Sequence, residues 1–117
     1  MHDRNEFGKL SEDFKACRET LVALGDENRL HMLYMMMLSE KPEGLRVGEI
    51  TTMTNLSRPA VSHHLKQLRE AGIVNVRPEG TKNFYYLDPD MNSFRRLISV
   101  LRRSVEYASE LPYRGEE

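Results

Sequence analysis

A chain of 117 residues has room for one domain built on a single core. Its 17 basic and 18 acidic side chains cancel to a net charge of −1, so net charge alone announces no nucleic-acid partner. One cysteine, Cys17, excludes an internal disulfide and an all-cysteine zinc site, and no apolar run approaches the roughly 18 residues of a membrane span.

The single cysteine fits a reducing cytosol, and residues 1–6 lack the basic start and apolar core of a signal peptide. A cytoplasmic protein with no membrane partner is therefore expected. The distribution of charge says more than its sum. Residues 1–56 carry a net −3 and residues 84–117 a net −1, whereas residues 57–83 hold Arg58, Lys66, Arg69, Arg77 and Lys82 against Glu70 and Glu79, a local +3. A basic middle between acidic ends is the asymmetry that a nucleic-acid footprint leaves.

Taken along the chain, Leu10, Phe14, Cys17, Leu21 and Leu24 recur at helical steps and predict a first helix over about 10–24, with Ser11 as its N-cap. Gly25 stops it. Asp26 can cap a second helix whose apolar face is read as Leu30, Leu33, Tyr34, Met37 and Leu38. The run Lys41, Pro42, Glu43, Gly44 breaks that helix. A short helix follows over 47–54, with Val47, Ile50 and either Met53 or Thr54 facing inward. After a tight turn at 54–57, Ser57 caps a helix that runs to about residue 71, where Gly72 ends it.

The periodicity then changes. Residues 73–77 and 83–87 are rich in β-branched and aromatic side chains, with a loop at 78–82 between them, and read as a β-hairpin. A last helix over about 90–110 carries Phe94, Leu97, Ile98, Leu101, Val105 and Ala108 at helical spacing, and Pro112 closes it. The predicted fold is mainly α with a small β-hairpin, in the order α-α-α-α-β-β-α. It forms a single domain over 1–117, with a helix-turn-helix at about 46–71 and a hairpin "wing" at about 73–87.

Two short helices joined by a tight turn make a helix-turn-helix, whose second helix can enter a DNA major groove. On a helical wheel Val61, Leu65 and Leu68 face the core, while Arg58, Ser62, Lys66 and Arg69 lie opposite, with His63 beside them. The groove offers acceptor-rich base edges walled by phosphates, and this face offers donors. Arg77 and Lys82 are expected near the wing tip, where they would meet phosphates or the minor groove. The candidate DNA-contacting set is completed by Ser57 and Gln67. The competing reading is a solvated helix face on a module that binds another protein and has lost DNA.

The stretches at 23–30, 47–50, 56–74 and 80–87 together resemble the ArsR/SmtB family of bacterial winged-helix repressors, over about residues 18–105. The recognition-helix stretch, with its serine, His-Leu, Leu-Arg-Glu-Ala-Gly exit and Tyr-Tyr on the second wing strand, carries most of the likeness. The resemblance implies a homodimer joined by its first and last helices (about 10–24 and 90–110) and reading a palindromic operator in double-stranded DNA. It also implies that His63 occupies the variable position that faces DNA.

Adjacent helix residues point about 100° apart, so His63 and His64 cannot chelate one ion. His64, three residues after Val61 and four before Leu68, is read as a packing residue with a local hydrogen bond. No nucleophile, carboxylate pair or glycine-rich loop completes a catalytic site, so no enzyme and no cofactor are expected. The family's thiolate sensors carry Cys-x-Cys at the position matched by Arg46, Val47 and Gly48, and its other common sensors use histidines on the last helix. Neither ligand set is present, and the histidines at 2, 31, 63 and 64 form none. Cys17 lies on an apolar stripe and is read as a small buried residue, with redox sensing as the alternative. Met32, Met35, Met36 and Met37 point all round their helix and are read as packing. Arg95, Arg96, Arg102 and Arg103 are read as a solvated face over the dimer seam, with binding of an anionic effector or the DNA backbone as the alternative. The expectation is thus a dimeric DNA-binding repressor without the family's usual metal sites, its effector unspecified.

Overall fold

The computed structural model describes residues 4–112. The order is α1 (Arg4–Ala16), α2 (Arg18–Leu24), α3 (Glu27–Leu38), α4 (Val47–Thr54), α5 (Arg58–Glu70), β1 (Val74–Glu79), β2 (Lys82–Leu87) and α6 (Asn92–Ser109). This is a mainly helical winged helix-turn-helix. No helix of the described residues is long and apolar enough to cross a membrane.

The predicted first helix is two helices. At Cys17 the backbone leaves the helical basin (φ −90°, ψ 5°), and its N–H reaches only as far back as the Phe14 carbonyl, at 3.0 Å. The tightened turn rotates the chain so that Leu10 and Cys17 pack on Leu97 and Val100 of α6, while Ala23 of α2 joins the main core. A single straight stripe would have buried Phe14 and Leu21, which stay more than a third exposed. Ser11 consequently lies inside α1 and is not an N-cap.

Asp26 caps α3 by accepting a hydrogen bond from the Arg29 N–H at 3.0 Å. Of the predicted apolar face of α3 only Leu33 turns inward. Arg29, Met32, Leu33 and Met36 are buried, whereas Leu30, Tyr34, Met37 and Leu38 are exposed. The helix is apolar nearly all round, so the choice of face falls to its tertiary contacts, with α4 and β2 on one side and the Arg29 hydrogen bonds on the other.

The main core gathers Met32, Ile50, Val61, Leu65, Leu68, Ile73 and Val74 from α3, α4, α5 and the start of the hairpin. Each is almost completely shielded from water, which stabilises the fold by roughly 1.5–3 kcal/mol per side chain relative to exposure. Ser57 caps α5, its hydroxyl accepting from the Ala60 N–H at 3.3 Å, and Pro59 sits in the first turn, where no N–H is missed. Beyond the end of α5 the Ser93 hydroxyl donates to the Ala71 carbonyl at 2.6 Å, tying the start of α6 to the recognition helix.

The hairpin strands are longer than predicted. Pro78 pairs with Asn83 and Glu79 with Lys82, so the turn is only Gly80-Thr81. Gly80 supplies the positive φ (+64°) that a two-residue turn needs to match the strand twist. A third piece of backbone was not foreseen. Leu45 exchanges two 2.8 Å hydrogen bonds with Tyr85, which clamps the wing to the segment that opens the helix-turn-helix. Gly44, at φ +95°, makes that approach possible, because a Cβ there would lie 2.8 Å from the Tyr85 carbonyl oxygen.

Candidate nucleic-acid interface

Helices α4 and α5, with the turn between them, present one face of α5 inward and one outward. Val61, His64, Leu65 and Leu68 are buried. Ser62, His63, Lys66 and Arg69 are exposed, and none of their side chains has a hydrogen bond or ion pair to another described residue. Their donors are therefore not engaged inside the protomer. Lys66 and Arg69 border an open groove shared with Val74, Val76 and Tyr86 of the hairpin.

The remaining candidates are placed less simply. Ser57 is exposed but spends its hydroxyl oxygen on the α5 cap. The Arg58 guanidinium folds back across the start of α4, its Nη1 lying 3.7 Å from where a Cβ on Gly48 would stand. Gln67 is half-buried and turned toward α3, where its Oε1 accepts from Arg29 Nη1. The hairpin does not bring Arg77 to the tip. It stands two pairs from the turn, opposite Phe84, and its guanidinium lies 5.1 Å over that ring. The same guanidinium donates to the Glu43 carbonyl at 3.1 Å and pairs with Glu79 at 3.4 Å. Lys82 does reach the tip, beside the turn, exposed and without a side-chain partner among the described residues.

Behind the recognition helix stands a residue whose role the sequence did not disclose. Arg29 is 7% exposed and donates from Nε to the Ala23 carbonyl at 2.8 Å and from Nη2 to the Val22 carbonyl at 3.0 Å. Its Nη1 faces Gln67 and lies 3.4 Å from His64 Nδ1. One guanidinium thus fastens the end of α2 and the start of α3 to α5. His64 is buried as expected, but its hydrogen-bond partner is not local: it is Arg29, 35 residues away. Burial holds its imidazole below the usual histidine pKa; Asp26 opposes that shift, while Arg29 and His63 reinforce it.

Among the described residues no three His, Cys, Asp or Glu side chains gather as a metal-ligating group. His31 is exposed on α3, and His2 lies outside the described residues. Cys17 is a free, buried thiol.

The model of the bacterial regulatory protein arsR family matches residues 26–76. An uncharacterized HTH-type transcriptional regulator, MJ1325 of Methanocaldococcus jannaschii, is 39% identical over 79 residues, covering 68% of this chain and 85% of that protein. The transcriptional activator HlyU of Vibrio cholerae is 37% identical over 83 residues, covering 71% of each chain. The solved structure of reduced HlyU superposes with a TM-score of 0.56 at 34% identity, covering 80% of this chain and 93% of that one. The solution structure of the homodimeric winged helix-turn-helix DNA-binding domain Mb0332 of Mycobacterium bovis shares the fold, with a TM-score of 0.57 at 21% identity over 100% of this chain and 96% of that one.

Proposed function

The chain belongs to the arsR family of bacterial regulatory proteins, and from that membership we propose that it is a homodimeric, sequence-specific DNA-binding transcriptional regulator acting as a repressor at a palindromic operator. The observation that carries the reading is the outward face of α5, where Ser62, His63, Lys66 and Arg69 stand exposed with no side-chain hydrogen bond or ion pair among the described residues. Hydrogen-bond donors with no internal acceptor suit a surface of base-edge and phosphate acceptors.

In this reading the helix-turn-helix (46–71) and wing (73–87) meet DNA, and α1, α2 and α6 supply the dimer seam. Lys82 touches phosphate at the wing tip, and Ser57 positions the first turn of α5. Gln67 and Arg77 support the frame from behind, because both are already engaged within the protomer. The signal that releases DNA is not one of the family's metal sites, since Arg46 and Gly48 stand where its thiolates would and α6 carries no histidine or cysteine. DNA in the cytoplasm is the partner, with no membrane and no catalytic role. HlyU is a transcriptional activator, so the sign of regulation is decided by transcription of a reporter with and without the protein.

The test is selection of bound duplexes from random DNA, followed by anisotropy titration. A palindromic motif is expected. Lys66→Ala should weaken binding to it by roughly 1–3 kcal/mol with no loss of thermal stability. Lys82→Ala should weaken selected and unrelated duplexes alike. Absence of any binding at low salt would transfer the chain to the protein-interaction reading.

A further inference from the structure

The start of α4, the start of α5 and the wing enclose an open cleft of about 440 Å³, lined by Arg46, Gly48, Glu49, Arg58, Thr81 and Asn83. Two guanidiniums border it, and neither is hydrogen-bonded or ion-paired within the described residues. The acid in the cleft is already compensated. Glu49 accepts from the Arg46 N–H at 2.9 Å with one oxygen and is bound by Lys41 Nζ through the other, and the Arg46 charge adds a weaker attraction. The wing contributes a neutral hydroxyl and a neutral amide, and Gly48 adds no side chain to fill the floor.

Arg58 is the informative member. Its backbone position shares the outward face of Ser62, Lys66 and Arg69, but its guanidinium swings over Gly48, to the flank of the recognition helix. A duplex whose groove receives α5 must carry its phosphate walls past the two flanks of that helix. The flank between α4 and the wing is this cleft. We propose that it seats one phosphate of the DNA backbone, held by Arg46 and Arg58 with Thr81 and Asn83 from the wing, so that Arg58 positions the duplex and does not read a base. Two guanidinium forks match the two free oxygens of a phosphodiester. A ligand bridging α4, α5 and the wing also sets the angle of the wing against the groove. This inference rests on the DNA-binding reading above.

The experiment compares the wild-type protein with Arg46→Gln and Arg58→Gln, each titrated with its selected duplex and with an unrelated duplex of equal length, across a series of salt concentrations. Each variant should lower the slope of log K against log salt by about 0.9 per lost contact, hence by about two per symmetric dimer. Both duplexes should lose affinity by the same factor, leaving the specificity ratio unchanged. Arg46→Lys should keep most of the slope. Thermal stability should be unaltered, and a clear fall would overturn the assignment by making the two arginines part of the frame. Unchanged slopes in both variants would also overturn it, as would an Arg58→Gln protein that loses discrimination at one base pair. Inorganic phosphate titrated calorimetrically into the free protein should give no saturable binding. Saturable binding that Arg46→Gln removes would give the seat to a free oxyanion and overturn the DNA assignment. A wild-type protein that binds neither duplex would instead refute the underlying reading of function, which separates the two failures.

Discussion

Arg29 and His64 show how one buried cation orders the chemistry around it. A guanidinium at 7% exposure is costly unless its donors are met, and here they are met by the Ala23 carbonyl and by the Val22 carbonyl, which also accepts from the Gly25 N–H at 3.2 Å. The Asp26 carboxylate, 4.0 Å away, balances part of the charge. Arg29 Nη1 can only donate, so His64 Nδ1 accepts and the imidazole carries its proton on Nε2. Protonating Nδ1 would set one donor against another. Because burial lowers the folded-state pKa below the ordinary 6.5, the folded protein binds fewer protons than the unfolded chain in acid. The contribution is complete above pH 6.5 and is lost as pH falls below it. Denaturant melts between pH 7.5 and 5.5 should therefore show stability falling with acid, by less than the roughly 1.4 kcal/mol per pH unit that one proton allows. His64→Asn, which keeps an acceptor and cannot titrate, should flatten that dependence. Parallel curves for the two proteins would remove His64 from the acid response. The outward donors of α5 were legible in the sequence because a position on a helical wheel is local information. Arg29 was not, since its side-chain hydrogen-bond partners lie 6, 7, 35 and 38 residues away.

The elements divide in the same way. Boundaries set by local chemistry were readable: α4 over Val47–Thr54, α5 behind its Ser57 cap, and the stop at Gly72. The break at Cys17 has no glycine or proline to announce it, and α3 has too many apolar residues for spacing to choose a face. The Leu45–Tyr85 bridge joins positions 40 residues apart and left only Gly44 as a trace, which looked like a simple helix breaker. That glycine is testable. Gly44→Ala must adopt a φ near +95° and place a methyl group against the Tyr85 carbonyl. The expected cost is roughly 1–3 kcal/mol of stability, read by chemical denaturation. Because the clamp orients the wing, affinity for any duplex should fall as well, measured where the variant is still fully folded. An alanine variant as stable as the parent would mean that the wing is held by its packing alone.

At the scale of the molecule, the protomer is far from spherical. Its radius of gyration is 18.2 Å and its extents are 57 × 32 × 23 Å, against about 13 Å for the radius of a compact domain of this length. The elongation comes from α1 and α6, which pack on each other through the small cluster of Leu10, Cys17, Leu97 and Val100, apart from the main core. Helix α6 is apolar on two faces. Leu97 and Val100 turn inward, while Ile98 and Val105, 62% and 69% exposed, stand on another face with Leu101. A charge-rich helix that leaves such a stripe in water is poorly explained by the protomer alone, and a second copy covering it would restore compactness. The proposed dimer therefore predicts that Leu101→Glu combined with Val105→Glu yields a folded monomer by sedimentation. Two half-sites then no longer share one ligand, and affinity for the selected palindrome should fall by about 10²–10⁴-fold. The exposed face of α3 supplies the control, because Tyr34→Lys, at 59% exposure, should leave both mass and affinity unchanged. If the α6 double variant stays dimeric and the Tyr34 variant dissociates, the seam lies on α3, and α1 and α6 project for another reason.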